Sequence, residues 1–254
     1  MINIRYLENE EKINIRPLYE KTFDDSKEFV DYYFDGPVYD NDVLVLENEG
    51  EILSMLQLVP KRMVYQGDIC LVHYIYAVAT DENHRHCGYM EKLLERAFDD
   101  LTKKGEPFTY LVPVNPAVYK KFGFRVAYLK PKYKFKQEPC QMKVYHPNKM
   151  DSVILTGLSR QILTSGYDTY LVHDEAYFDQ LFTMLELEKG YLIYHMEGEK
   201  LTGYTLVTAD GEIFESLFRI QPPEIVPTGY TPWVMVKNLR EDCRVGRMCI
   251  NDET

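Results

Sequence analysis

The stretch Tyr74–Met90, YIYAVATDENHRHCGYM, decides the fold. It closes the run Ile69–Ala79, which is apolar, β-branched or aromatic almost throughout and predicts a strand buried on both faces. A polar loop follows as far as His86. A helix begins near Gly88, where Met90, Leu93, Leu94, Ala97, Phe98 and Leu101 fall at i, i+3, i+4, i+7, i+8 and i+11 and draw one continuous stripe. Gly105 and Pro107 end it. A loop that feeds a helix N-terminus presents unpaired amides backed by the positive end of the helix dipole, a ready site for a phosphate or pyrophosphate. Gly88 lets a ligand approach the backbone, and Arg85 adds charge. Any capped helix shares this layout, so the loop needs support from the rest of the chain.

Upstream, Met1–Leu7 predicts a strand and Arg16–Tyr33 a helix, with N-cap candidates at Asp24, Asp25 and Ser26 for its second part. Gly36-Pro37 stops it. Val43–Leu46 and Ile52–Val59 then flank the turn Glu47-Asn48-Glu49-Gly50 and predict a hairpin. Downstream, Phe108–Val114 predicts another buried strand, and Asn115-Pro116 starts a short helix over Ala117–Phe122, closed by Gly123. Together these make a mixed α/β domain over residues 1–135. From Lys130 to Gln137 lysines alternate with aromatics and proline. That pattern fits a solvated edge strand guarded by lysines better than a nucleic-acid stripe. His146-Pro147-Asn148 reads as a linker.

The second part, residues 150–254, repeats the first in outline. Asp174–Lys189 predicts a helix, followed by a hairpin over Tyr191–Val207. Glu49-Gly50-Glu51-Ile52-Leu53-Ser54 is matched by Glu197-Gly198-Glu199-Lys200-Leu201-Thr202, and Gln66-Gly67-Asp68-Ile69 by Asp210-Gly211-Glu212-Ile213. Two such turns in order point to an internal duplication. The copies diverge afterwards, because Pro222-Pro223 forbids a helix like the one after Gly88.

The 254 residues suit one large domain or two modest ones, and 45% apolar residues suffice for a real core. No apolar run approaches the ~18–20 residues of a membrane span, and the N-terminus lacks a signal-peptide core. Five scattered cysteines (Cys70, Cys87, Cys140, Cys243, Cys249) with no C-x-x-C pair argue against a disulfide framework or a zinc site. A cytoplasmic protein with no membrane partner and no metal is expected. The net charge of −11 disfavours a nucleic-acid partner. Its distribution is uneven: −9 over residues 1–58, +7 over 59–150 and −9 over 151–254.

Three motifs now carry a resemblance. Arg85-His86-Cys87-Gly88-Tyr89-Met90 resembles the Arg/Gln-x-x-Gly-x-Gly/Ala pyrophosphate loop of GCN5-related N-acetyltransferases (GNATs). Ala77-Val78-Ala79-Thr80 resembles the strand end that pairs with the pantetheine arm, and Val118-Tyr119-Lys120-Lys121-Phe122-Gly123-Phe124 resembles the family's Tyr-x-x-Phe-Gly-Phe/Tyr helix end. With the duplication, the chain resembles the tandem-domain subgroup of enhanced-intracellular-survival (Eis) proteins. This implies an α/β fold with mixed sheets, the second acetyltransferase-like domain being degenerate and shortened. Two departures stand out. Met90 replaces a small residue and would crowd the pyrophosphate turn, and the sequence ends at Thr254, without the subgroup's sterol-carrier-like third domain.

The resemblance implies acetyl-CoA as cosubstrate, held by Ala77, Val78, Ala79, Arg85, His86, Cys87, Gly88, Tyr89, Met90 and Asn115. It implies Tyr119 as the general acid on the departing sulfur. Asn115 also reads as an N-cap, and Tyr119 as one packing tyrosine among 21. The family's strand Glu is absent, which leaves water or His73 as base, although a lone strand histidine is more often a satisfied core residue. His84 and His86 flank Arg85 and read as touching phosphates or solvent rather than doing proton chemistry, and Cys87 reads as a loop residue. The expected reaction is acetyl transfer to an amine of a small molecule or a lysine. The rival from another class is a non-catalytic acyl-CoA-binding or regulatory module. Homo-oligomerisation is left open.

Overall fold

The computed structural model describes residues 2–136 and 144–250. The first half runs β1 (Ile2–Tyr6), α1 (Arg16–Thr22), α2 (Lys27–Asp35), β2 (Asp42–Asn48), β3 (Glu51–Tyr65), β4 (Asp68–Thr80), α3 (Tyr89–Lys103), β5 (Phe108–Leu111), α4 (Pro116–Lys120) and β6 (Arg125–Phe135). The second runs β7 (Val144–Tyr145), α5 (Lys149–Gly166), β8 (Thr169–Leu171), α6 (Glu175–Leu187), β9 (Tyr191–Glu197), β10 (Lys200–Val207), β11 (Ile213–Phe218), β12 (Ile225–Asn238) and β13 (Met248–Cys249).

The helix expected over Arg16–Tyr33 is two helices. Phe23 is extended, and Ser26 restarts the helix by accepting from the Phe29 amide at 3.2 Å. The strand expected to reach Val114 stops at Leu111, ahead of Pro113 and Pro116, which have no N–H to give a ladder. Asn148, read as part of a linker, is the N-cap of α5, a helix that the pattern reading did not assign. Its side chain accepts from Met150, while the Asp151 carboxylate takes the Asn148 amide in a capping box. Cys140 lies outside the described residues.

Four antiparallel strands in the order β1-β2-β3-β4 begin the large sheet, and four antiparallel strands in the order β7-β9-β10-β11 make the small one. Helices α1–α2 precede the first hairpin as α5 and α6 precede the second, which is the duplication read from the Gly turns. Those turns share a backbone need. Glu49-Gly50 and Gln66-Gly67 both have positive φ at each position, and Gly198 and Gly211 are also left-handed. The repeat ends at the fourth strand. Instead of a second α3, the chain returns β12 to the large sheet, where it lies between β5 and β6. Strands β8 and β13 also join that sheet, through β3. The large sheet therefore crosses the sequence boundary expected between residues 135 and 150. β6 is its edge, as the lysine alternation predicts.

Both faces of the large sheet are covered. Leu93, Leu94, Ala97 and Leu101 of α3 are fully buried on one side, and burying each leucine contributes about 2 kcal/mol. Leu18, Tyr19, Val30, Tyr33 and Phe34 of α1 and α2 cover the other. A further core forms where α5 and α6 pack on β9–β11. Among the described residues no helix is long and apolar enough to cross a membrane.

Met235, fully buried in β12, pairs with Leu111 on one side and Val126 on the other. Met235→Asp is expected to cost at least about 4 kcal/mol in urea unfolding, through an unpaired buried charge. Tyr230→Asp, on the exposed part of the same strand, should stay within about 0.5 kcal/mol.

Candidate active site

Strands β4 and β5 run parallel and share one paired rung, Tyr74 opposite Tyr110, whose rings stack at 5.0 Å. On one side of the rung the strands are stitched together. The Thr109 hydroxyl donates to the His73 carbonyl at 2.8 Å, and Glu106 takes the His73 amide at 2.9 Å and meets its Nδ1 at 2.5 Å. Beyond the rung no pairing joins them: β4 runs on to Thr80 and β5 stops at Leu111, so the two strand ends are unpaired, a wedge in the hydrogen-bond ladder. His73 therefore belongs to the closed end of the split, buried on Glu106. The structure assigns this candidate base a core hydrogen-bonding role.

The open arm of β4 carries a bulge. Ala77 and Val78 together oppose Leu56, and Ala77 has φ +47°. Left-handed backbone at a residue with a Cβ costs about 1 kcal/mol, so packing must enforce it. Ala77 is buried against the α1–α2 core, and Ser54 holds the strand end by donating to the Ala79 carbonyl at 2.8 Å and meeting the Thr80 hydroxyl at 2.8 Å. The bulge re-aims the backbone of Ala77–Ala79 at the wedge's edge.

The loop after β4 is anchored at its start. Asp81 accepts from Lys21 of α1 at 2.8 Å, from the Asn83 amide at 3.0 Å, and contacts His84 at 3.2 Å. Lys21 first, then the amide, holds the Asp81 carboxyl well below its ordinary value. Beyond it Arg85, His86, Cys87 and Gly88 are exposed, and Tyr89 and Met90 half-buried. Gly88 is the α3 N-cap at φ +75° with no capping side chain, and His86 is also left-handed at +64°. Among the described residues the Arg85 guanidinium has no ion pair, and the loop amides that lead into the uncapped N-terminus of α3 are exposed, an arrangement able to cradle an anion. Met90, expected to crowd it, packs its side chain on the α3 core.

Across the wedge, Asn115 caps α4 by accepting from Ala117 at 3.0 Å. Tyr119 is half-buried, edge-on to Phe124 at 6.0 Å, and among the described residues nothing bonds its hydroxyl. Burial raises its pKa above 10, so it stays a proton donor. Lys237 of β12 donates to the Phe122 carbonyl at 2.8 Å and lies 4.6 Å from the Phe98 ring. It thereby fixes the turn after Tyr119. Sequence reasoning missed Lys237 because nothing local marks a partner 115 residues away.

Beside Tyr76, one residue before the bulge, is an open cavity of about 410 Å³ lined by the rings of Phe29, Tyr32, Tyr33 and Tyr76, by Asp40, Asn41 and Lys61, and by Gln180 and Met184 of α6. A wider groove follows the lysines of β6, but Asp210, Glu212 and Glu215 line it too, and Lys130 sits on Trp233 at 4.2 Å.

Residues 3–127 match the acetyltransferase (GNAT) domain family. These residues are a GNAT acetyltransferase domain. The matched domain, which spans just under half of the chain, is that of an N-acetyltransferase using acetyl-CoA. Both halves are similar in fold to solved GNAT-type structures. A probable N-acyltransferase from Enterococcus faecalis V583 has a TM-score of 0.73 at 15% identity, covering 94% of this chain and 73% of that one. A GCN5-related N-acetyltransferase from Anabaena variabilis gives 0.71 at 15%, with the same coverage. Eis1 from Mycobacterium abscessus gives 0.65 at 9%, covering 94% and 74%. No curated protein matches the sequence.

Valine in place of Ala77 cannot readily adopt positive φ and has no room to relax. Ala77→Val should flatten the bulge and weaken CoA binding by about 10-fold or more in calorimetry, whereas Ala77→Gly should bind normally.

Proposed function

We propose that the enzyme moves an acetyl group from acetyl-CoA to a primary amine of a cationic acceptor, by direct attack of the amine on the thioester, in the cytoplasm. The observation that carries this reading is the wedge: one rung, then unpaired strand ends, with exposed loop amides and the unbonded Tyr119 hydroxyl beside it.

The amides of Arg85–Met90 and the Arg85 guanidinium hold the pyrophosphate, and the turned backbone of Ala77, Val78 and Ala79 pairs with the pantetheine arm. Asn115 borders that arm while capping α4. Tyr119 protonates the departing sulfur, and its raised pKa keeps that proton available throughout the working range. The +7 stretch of the sequence contains the loop and matches an anionic cosubstrate. The acceptor sits in the cavity beside Tyr76, where ring faces and the Asp40 carboxylate favour an ammonium and Asn41 and Lys61 add polar groups that would bear on the rest of the molecule. Met184 and Gln180 give the second domain a part in that pocket, so it helps select the acceptor.

Thiol release from acetyl-CoA should depend on added amine when a panel of polyamines, arylalkylamines and lysine peptides is tested. Tyr119→Phe should lower kcat by about 100-fold or more with CoA affinity unchanged. Because the Tyr119 pKa is raised, the wild-type rate should show no loss of this acid below pH 10, and a falling limb starting near pH 8 would contradict the role. Arg85→Ala should raise KM for acetyl-CoA by about 10-fold and leave kcat nearly unchanged, as for loss of a charge-assisted hydrogen bond. CoA binding with no amine-dependent release would instead mark a non-catalytic acyl-CoA-binding module.

A further inference from the structure

The Asp81 carboxylate divides its two oxygens between two tasks. Oδ1 accepts from the Asn83 amide at 3.0 Å and from Nδ1 of His84 at 3.2 Å, and so folds the short turn Glu82–His84 that starts the loop. A charged carboxylate only accepts, so the His84 ring is the donor there. Oδ2 takes Lys21 of α1 at 2.8 Å, and the same lysine reaches Glu82 at 3.2 Å. The Asp81 amide donates to the Leu53 carbonyl of β3 at 2.9 Å, which seats the residue on the sheet. Its side chain is 18% exposed, whereas Arg85 to Gly88 are open to water.

The turn that Asp81 folds reaches across the loop. The His84 ring stacks on the Tyr89 ring, with centroids 6.4 Å apart and 20° between the planes, and Tyr89 is the first residue of α3. Arg85 to Gly88 therefore form a span of four residues whose two ends are joined by a ring contact. Within it His86 and Gly88 are left-handed, at +64° and +75°. No side chain caps α3, so the order of the span comes from its ends.

We infer that Asp81 is a positioning residue for acetyl-CoA: through His84 and Lys21 it sets Arg85–Gly88 in its binding shape before the ligand arrives. The inference rests on that span holding the pyrophosphate. An exposed loop left to itself loses backbone freedom when it binds, and a loop set in advance has lost it on folding. Lys21 and the Asn83 amide hold the Asp81 carboxyl well below its ordinary value, so its charge persists through the working range. A lone surface ion pair contributes little, but this lysine acts on a carboxylate already committed to the turn and fixes its direction. The tie also has a second end. α1 and α2 share one core, and Tyr33 of that core lines the proposed acceptor cavity. One helix pair thus borders the acceptor and steadies the cosubstrate loop.

Calorimetric binding of CoA tests this without any acceptor. Asp81→Asn keeps an oxygen for the Asn83 amide and His84 but turns an NH2 group toward Lys21, so it cuts the tie to α1 alone. Asp81→Asn and Lys21→Met should each weaken CoA by about 3-fold or more, and Lys21→Arg should stay within about two-fold of wild type. Asp81→Ala, which loses the turn as well, should weaken CoA by about 10-fold or more. In an Arg85→Ala background Asp81→Ala should cost clearly less than it does in wild type, because both act on one loop. A structural role elsewhere would make the two losses multiply. If Asp81→Ala does not fold, Asp81→Asn and Lys21→Met take its place in the cycle. Losses that multiply, or Asp81 and Lys21 variants that bind like wild type while Arg85→Ala weakens CoA, overturn the inference and leave the loop reading standing. Arg85→Ala binding CoA as wild type does removes both.

Discussion

Strands β4 and β5 hold each other through one rung and then part, and the molecule is arranged around that parting. A sheet normally pairs every backbone group it can, because a buried unpaired amide or carbonyl costs about as much as a lost hydrogen bond. Here the closed end is over-determined: stacked Tyr74 and Tyr110, the Thr109 hydroxyl on His73, and Glu106 on the His73 amide and ring. The open end is kept unpaired by the Ala77 bulge on one arm and by Pro113 and Pro116 after the other. The loss of pairing thus follows from local chemistry on both sides.

The arms are held from outside. Strand β3 pairs with β4, and β12, which arrives from more than 100 residues further along the chain, pairs with β5. Lys237 on that same strand reaches the carbonyl after Tyr119, so the segment that completes the sheet also sets the turn carrying the proposed acid. The second half is consequently a structural part of the first. It lends β12, β8 and β13 to the large sheet and Met184 and Gln180 to the aromatic cavity. Its own small sheet repeats four strands of the first and no more.

The proposed acceptor side obeys different physics from the proposed cosubstrate side. Exposed amides, a helix N-terminus and an unpaired arginine suit a polyanion and stay wet. The cavity beside Tyr76 combines four aromatic rings with Asp40, Asn41 and Lys61.

The loop motif, the α3 stripe, the short helix carrying Tyr119 and the Gly-turn duplication were legible in the sequence, because each depends on spacing within one turn, one helix face or one hairpin. Asn115 and Ser26 were likewise readable as caps. The split of Arg16–Tyr33, the early end of β5 and the helix α5 lie at boundaries or in mildly patterned stretches, where tertiary packing outweighs propensity. The sequence alone determined the family resemblance, the loop-to-helix motif at Gly88 and the fact of an internal repeat, since all are written in near neighbours. Only the tertiary structure decided that β12 completes the first sheet, that Lys237 steadies the Tyr119 turn, that His73 is spent on Glu106, and that Lys21 ties α1 to Asp81. Those relations join residues tens to more than a hundred positions apart, and no local periodicity encodes which distant strand edge or side chain a residue will meet.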